Sequence, residues 1–561
     1  MKSIRIQGLR SLKDSGYVDI KALTLLLGEN SSGKSTFLRT FPLLRQSIEA
    51  ATRGPMLWYG SYVDFGSFED ALSHFSEGNK IDFSFKLNSS LLSKSFFRTR
   101  SSVYAGVKKE DDFNCTLSLI GDNKESYTRI RSVSFEYASN KIYVAFSKNN
   151  KITEIRSNDI DFTHLFTNAV IEIEDDAYSI FPLISFYSQT NNSFGQRWQR
   201  DNKDLDMIMS NIIDIYAHGK SNIPELTDKL KRSGTTDLND FIKYFKRLSP
   251  TQTWKKKTSH LSSSNNEMLE LHAALFASRV AYLVHVANWC LVTELSSISY
   301  IAPLRATAER YYRNQELSVN EVDFQGKNLA MFIKNLGDKK KDYKSWMFSN
   351  FGFFLNVTSD GGHLSLRIHY SENDSGYNVT DMGFGFSQIL PILTQLWFTS
   401  LGEQKINSFR LPFISPNKYL VIEQPELHLH PRFQAKMVDV FVKMINFIEN
   451  TGNNLKIVIE THSETIVNQI GHRILLRNKI IEKYEGYVNL PEESPLKNTE
   501  EYKVFQEKFN NSISNKDVSI VIFDKVKPDE PTTVSTSEYD KDGNLINWPW
   551  GFFEPELDYD N

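Results

Sequence analysis

Gly28-Glu29-Asn30-Ser31-Ser32-Gly33-Lys34-Ser35 fits the pattern G-x-x-x-x-G-K-[ST] at every fixed position. Ahead of it, Ala22-Leu23-Thr24-Leu25-Leu26-Leu27 is an apolar run of strand length. Behind it, Thr36-Phe37-Leu38-Arg39-Thr40-Phe41-Pro42-Leu43-Leu44 carries apolar residues near helical spacing. Strand, loop, helix is the setting a phosphate-binding loop requires. Its glycines let the backbone curl so that N–H groups converge on phosphate oxygens. Lys34 can reach the β and γ phosphates, and the Ser35 hydroxyl can ligate Mg²⁺. Residues Gly28 through Thr36 are therefore candidate nucleotide-binding residues.

Such a loop does not say which kind of NTPase it serves, and distant partners must decide. Tyr419-Leu420-Val421-Ile422-Glu423 reads as a buried strand ending in a carboxylate, followed by Gln424-Pro425-Glu426. A carboxylate at a strand end beside the loop can hold Mg²⁺ through water. A second one three residues on, turned outward by Pro425, can orient or deprotonate an attacking water. Lys456-Ile457-Val458-Ile459-Glu460-Thr461-His462 is another such strand, ending in a histidine placed to feel a γ phosphate. Two apolar strands that each end in polar chemistry predict a parallel sheet with its site at the carboxyl edge. Asp381-Met382-Gly383-Phe384-Gly385-Phe386-Ser387-Gln388 leads into Ile389-Leu390-Pro391-Ile392-Leu393, a second anion-binding helix N-terminus. One nucleotide needs one cradle, so the second is expected to serve the nucleotide of another subunit.

The wording GENSSGKST, DMGFGFSQILPIL, IEQPELHLHP and VIETHSE resembles the SMC-like branch of the ABC-type ATPases. Within it, the set is similar to the overcoming-lysogenisation-defect (OLD) family and the Septu defence ATPases (PtuA), including relatives beside retrons. The resemblance covers residues 1–75 and about 297–475. It implies that Gly28, Gly33, Lys34 and Ser35 are Walker A residues, Glu423 the Walker B metal carboxylate, Glu426 the catalytic base and His462 the switch histidine. Gly383, Gly385, Ser387 and Gln388 would cap ATP from the opposite protomer, and Arg10 would lie near the nucleotide. The cofactors implied are ATP and Mg²⁺. The partners implied are a second copy in an ATP-sandwich dimer or higher oligomer and a separately encoded HNH (PtuB-like) effector nuclease. Nucleic acid, including a retron reverse transcriptase with its DNA, stays open. Glu423 departs from the Asp of most ABC proteins. A Q-loop glutamine is not evident, the turn Asp64-Phe65-Gly66 being the place to look. The terminal Trp548-Pro549-Trp550-Gly551-Phe552-Phe553 is similar to an uncharacterised C-terminal domain attached to such ATPases.

Composition is that of an ordinary globular protein: 561 residues, 40% apolar, 24% charged and 13% aromatic. That length predicts about two to four units. A formal charge of −3 leaves no global footprint for nucleic acid. Cys115 and Cys290 form no CxxC and predict buried thiols in a reducing compartment. The N-terminus lacks the apolar core of a signal peptide, and 280–293 is too short to span a membrane. A cytoplasmic protein is expected.

The fold expected is α/β: an ABC-type P-loop ATPase domain with an antiparallel meander, an inserted helical arm and a small C-terminal domain. Residues 1–150 would hold Walker A and the meander, whose period-2 runs cover 81–87, 115–119, 133–137 and 141–146 and extend the edge of the nucleotide sheet. Residues 151–298 would form the arm, with helices over 204–217, 226–232 and 241–248 and one long helix over 266–295. Residues 299–480 would complete the ATPase, and 481–561 would be an accessory domain. Two basic clusters, Trp254-Lys255-Lys256-Lys257 and Lys339-Lys340-Lys341 with Lys344 and Trp346, read either as solvated faces or as phosphate contacts.

Two functions compete. One is a switch ATPase that closes around ATP and licenses a partner nuclease. The other is an OLD-type ATP-dependent nuclease or DNA-repair ATPase acting directly on DNA, which needs a D-x-D at a strand end to hold two metals. Asp540-Lys541-Asp542 runs into a turn, Asp558-Tyr559-Asp560 lies in the tail, Asp159-Ile160-Asp161 suits a surface loop, and Asp524 is followed by Lys525. The switch reading is therefore preferred. His428-Leu429-His430 could bind zinc as alternating histidines but also belongs to the pattern that follows Glu426.

Overall fold

The computed structural model describes the chain except residues 51, 53, 89–111, 123–126, 167–168, 173–178, 187–202, 235–236, 316–318, 320, 402–414, 489, 492, 526, 528 and 550–561. The chain divides into two compact units, Met1–Val18 with Leu43–Ser296, and Asp19–Pro42 with Ser297 onward.

The first unit is built on an antiparallel sheet. Its order is Ile160–Asp161, Ile152–Ser157, Asn140–Phe146, Tyr127–Tyr137, Asp112–Asp122, Lys80–Asn88, Ser3–Leu9 and Leu12–Asp14. Alternation along these strands sends Phe83, Phe85, Leu117, Val133, Ile142 and Val144 into the core. The meander is thus a sheet of its own, paired edge to edge with Ser3–Leu9 (Ile4↔Phe85, Ile6↔Phe83), and not an extension of the nucleotide sheet. The reason is register. Ser3–Leu9 pairs antiparallel with Lys80–Asn88 on one side and Leu12–Asp14 on the other, whereas the strand before the phosphate loop has parallel neighbours on both sides.

Helices Lys203–Tyr216, Ile223–Lys231, Leu238–Lys246 and Gln252–Thr258 follow, the last three opened by Asn222, Asp237 and Thr251 side chains that accept from the first-turn amides. Trp254 is fully buried and donates its indole N–H to the Phe245 carbonyl at 2.9 Å, and Lys257 donates to the Ile215 carbonyl at 2.7 Å. Of that basic cluster, Lys255 and Lys256 are the exposed lysines left over. The long helix expected over 266–295 is two, Asn266–Ser278 and Val280–Leu295, bent by 47° at Arg279. Both are apolar nearly all round, so no stripe marks the break. Among the described residues no single helix is long and apolar enough to cross a membrane.

The second unit carries the sheet that positions the site. Its order is Ile298–Ile301, Asn417–Glu423, Asn454–Glu460, Leu23–Gly28, Val518–Asp524, Thr533–Tyr539 and Leu545–Ile546. The first five run parallel and the last two turn antiparallel. Every residue of Leu23–Gly28 is buried, the continuous apolar run expected of a strand covered on both faces. Helices Phe384–Ser400, Pro431–Glu449 and Glu464–Lys483 cover it, and Ile389, Leu393, Phe441, Ile445, Ile466 and Ile470 join Leu25, Leu420, Ile457 and Ile520 in one core. Each such side chain contributes about 1.5–3 kcal/mol by leaving water. Val518–Asp524, in the segment read as accessory, sits beside the phosphate-loop strand in this sheet. A smaller antiparallel sheet joins Tyr312–Arg313, His363–His369, Phe354–Asp360 and Tyr377–Asn378.

Candidate active site

The phosphate loop leaves the Leu23–Gly28 strand and enters the helix Lys34–Glu49. Two backbone features make its glycines obligatory. Gly28 has φ +147, and a Cβ there would lie 2.1 Å from the Phe523 carbonyl oxygen of the neighbouring strand; Gly33 has φ +97. Ser31 also takes a left-handed φ of 62. Thr532 donates to the Ser32 carbonyl at 2.8 Å, so the chain after Val518–Asp524 holds the loop from outside. Lys34 is buried and turned back on the loop, donating to the carbonyls of Gly28 (2.9 Å) and Glu29. Desolvation lowers its pKa, opposed by Glu460, Glu29 and Glu426.

Three parallel strands end together at this edge. The register pairs Glu423 directly with Glu460, and Glu460 with Leu26 of the phosphate-loop strand. Both glutamates are buried, and they are held differently. Glu423 accepts from Arg39 Nε on Oε1 and Arg39 Nη2 on Oε2, each at 2.8 Å, and from Tyr300 Oη on Oε1 at 2.6 Å. Burial, then the Glu423 charge, pushes the Tyr300 phenol up, while the carboxylate bond raises the Arg39 guanidinium. Glu460 accepts from the Ser35 hydroxyl on Oε1 at 2.7 Å, and its Oε2 is buried without a partner. Desolvation and then the Glu423 charge push Glu460 up to about 7.

Glu426 comes next, on the turn that follows Gln424, whose φ is 43. Its Oε1 accepts the His462 backbone N–H at 2.7 Å and its Oε2 is buried and unpartnered; burial raises its pKa. Arg305 donates to the Glu423 carbonyl at 2.6 Å and the Gln424 carbonyl at 3.3 Å, while its Nε and Nη1 are buried without partners. Desolvation lowers Arg305 to about 10. The His462 imidazole is exposed, held below its ordinary pKa first by desolvation and then by Lys34.

The structure thus brings Lys34, Ser35, Glu423, Glu426 and His462 to one sheet edge. The glycine-rich turn stands apart. Gly383 (φ +89) is the residue before the helix Phe384–Ser400, and a Cβ on Gly385 would lie 2.9 Å from the His428 carbonyl. Ser387 and Gln388 are buried, Ser387 donating to the Phe384 carbonyl at 2.7 Å and Gln388 to the Arg305 carbonyl at 3.3 Å. Among the described residues none of these four bonds to the phosphate loop. Beside them a cavity of about 150 Å³ is lined by Met382, Gly383, Gly385, Phe386, His428 and Phe433, among others. His428 packs edge-on against Phe384, and His430 caps the helix Pro431–Glu449.

Arg10 belongs to the first unit, where its guanidinium lies 4.4 Å over the Phe65 ring and donates to the Asp64 carbonyl at 3.3 Å. In that turn Asp64 accepts the Gly66 amide at 2.7 Å. Asp540 closes the hairpin after Thr533–Tyr539, accepting the amides of Asp542 and Asn544 at 2.8 Å each, and Asp161 accepts from Thr163. Residues 550–561, with the end of the aromatic stretch and Asp558-Tyr559-Asp560, lie outside the described residues.

Sequence reasoning missed Arg39, Tyr300, Arg305, Glu460 and Thr532. Arg39 had a signal, since it stands four residues after Ser35 on the same helix face. Glu460 had one too, as the carboxylate that closes the apolar run two residues before His462.

A glycine loop between a buried parallel strand and a helix, facing carboxylates on adjacent strand ends, defines a P-loop nucleotide-binding domain. Residues 1–467 match the family model described as an AAA ATPase domain, and the chain belongs to that family of ATPases. No curated protein matches it. Solved structures similar to it include the recombination mediator protein RecF of the RecFOR pathway with ATPrS (11% identity, 83% of this chain and 93% of that one, TM-score 0.24). RecF with ATP is similar at 12% identity, 82% and 92% coverage, and TM-score 0.21. Both scores are too low to define the fold.

Proposed function

We propose that this protein is an SMC-like, ABC-type ATPase of the OLD branch that binds and hydrolyses ATP with Mg²⁺. The observation that carries the reading is the gathering of Lys34, Ser35, two buried carboxylates and Glu426 at one parallel sheet edge. The donor set suits the metal. Among the described residues no three His, Cys, Asp or Glu side chains converge on a point, and Mg²⁺ is ordinarily held by one or two carboxylates, a hydroxyl, water and substrate phosphates. A buried carboxylate oxygen without a protein partner, Oε2 of Glu460 beside the Ser35 hydroxyl, fits such an occupant. When bound, the ion would supply charge neutralisation across the β and γ phosphates.

The chain's own residues do the rest. The loop amides and Lys34 bind phosphate, Lys34 exchanging the carbonyls of Gly28 and Glu29 for phosphate oxygens. Ser35 offers its hydroxyl to the metal, with the Glu423 and Glu460 pair behind it. Glu426, whose carboxylate burial makes more basic than a free one, takes the proton of the attacking water at Oε2. His462, neutral, faces the γ phosphate. Gly383, Gly385, Ser387 and Gln388 form the cap that a second copy's nucleotide meets, so two chains close around ATP and reopen on hydrolysis. The biological setting proposed is prokaryotic antiviral defence in the cytoplasm, the motion releasing a separately encoded HNH-type nuclease; the motif wording supports it.

The test is plasmid cleavage with Mg²⁺ or Mn²⁺ by the chain alone and with the protein encoded beside it, each with and without ATP. Cleavage that needs the neighbour and responds to ATP supports the switch reading. Cleavage by the chain alone overturns it in favour of the direct nuclease.

A further inference from the structure

The two strand-end glutamates are not equivalent, and the difference lies in what holds them. Glu423, the carboxylate the sequence pattern points to, has both oxygens taken by Arg39 and a third hydrogen bond from Tyr300. Its side chain is 2% exposed, and a guanidinium covers the carboxylate in a two-point grip. Glu460 lies one strand closer to the phosphate loop, since Asn454–Glu460 stands between Asn417–Glu423 and Leu23–Gly28. Its Oε1 takes the hydroxyl of Ser35 at 2.7 Å, and Oε2 is buried with no partner at all.

We propose that Glu460, and not Glu423, is the carboxylate that meets the magnesium ion beside Ser35, while Glu423 is a fixed anion that clamps Arg39 and Tyr300. The inference rests on the ATPase reading above. A hard cation needs oxygen lone pairs that are free or cheaply freed. Glu460 offers Oε2 outright and Oε1 by giving up one neutral hydroxyl, which itself becomes a ligand. Glu423 would have to break a bidentate ion pair in a buried place, a far larger cost. The Gln424 backbone also donates to the Glu460 carbonyl at 2.8 Å, fixing the two strand ends in step. Glu423 then acts through Arg39, which lies one turn beyond Ser35 on the same helix, as a positioning residue for the loop helix.

The test is Mn²⁺ binding followed by the electron paramagnetic resonance signal of the free ion, on the full chain with the non-hydrolysable nucleotide AMP-PNP. Binding of a fluorescent ATP analogue in EDTA is measured alongside. The prediction is that Glu460→Gln weakens Mn²⁺ at least tenfold while metal-free nucleotide affinity stays within about threefold. Glu460→Asp, which withdraws the carboxylate by one methylene, should fall between. Tyr300→Phe, which loosens the clamp without removing the Glu423 carboxylate, should leave Mn²⁺ affinity within about threefold, as should Glu423→Gln where it still binds nucleotide. Mn²⁺ loss in Glu423→Gln with retention in Glu460→Gln, or equal loss in both, overturns the assignment. A wild-type chain that binds no nucleotide in EDTA or with Mn²⁺ overturns instead the ATPase reading on which the assignment rests.

Discussion

Replacing Arg39 with Met removes both hydrogen bonds that close on Glu423 and leaves a buried carboxylate supported by Tyr300 alone. Breaking a buried ion pair by deleting one partner costs about 3–5 kcal/mol, because the remaining charge stays desolvated. The Arg39 side chain is 34% exposed, so solvent screens part of the pair and the lower end, about 3 kcal/mol, is the expectation. At about 1.4 kcal/mol per factor of ten, that is roughly a hundredfold change in local opening. Hydrogen exchange of the Asn417–Glu423 strand reports it directly, since these amides sit in the sheet that Glu423 terminates. Arg39→Met should lower their protection about a hundredfold. Arg39→Met combined with Glu423→Leu should recover most of it, because an apolar pair carries no stranded charge. Protection within threefold of wild type in the single variant, or a double variant no better than the single, would refute the reasoning.

Other positions give independent tests. Gly385→Ala forces a Cβ to 2.9 Å from the His428 carbonyl, tighter than real contacts allow, so turnover should fall at least tenfold while nucleotide binding to Lys34 persists; unchanged turnover would free that turn of any role. Thr532→Val deletes the hydrogen bond to the Ser32 carbonyl, worth about 1 kcal/mol, and should raise exchange of the 29–33 amides about fivefold; no change there would mean the C-terminal strands do not support the loop. Lys418, buried and lowered by desolvation to about 8, binds its proton less readily in the folded chain than in the unfolded one. Stability should therefore rise with pH between about 8 and 10.5 and carry the full penalty below. Lys418→Met should raise the melting temperature at pH 7 and flatten that slope, and a lower melting temperature at pH 7 would contradict the sign.

What could be read from the sequence was whatever a short stretch determines by itself. The phosphate loop was legible because its glycines, Lys34 and Ser35 sit within eight residues whose backbone must turn toward phosphate. Glu423 and His462 were legible because each closes a short apolar run. Tyr300 and Arg305 were not, since their place depends on Ile298–Ile301 pairing with a strand more than a hundred residues later. The break at Arg279 was hidden because helices buried on all sides carry no stripe. Val518–Asp524 falls in the segment 481–561, expected to be a separate accessory domain. Its place beside Leu23–Gly28 follows from long-range pairing, which periodicity does not encode.

The most direct measurement is ATP affinity and turnover with Mg²⁺ for the wild-type chain and Lys34→Ala, with folding of the variant checked by circular dichroism. Wild type should bind and hydrolyse ATP, and Lys34→Ala should lose turnover entirely and at least about a hundredfold in affinity. A correctly folded Lys34→Ala that binds and hydrolyses ATP like wild type would contradict the central claim that this loop is the nucleotide site.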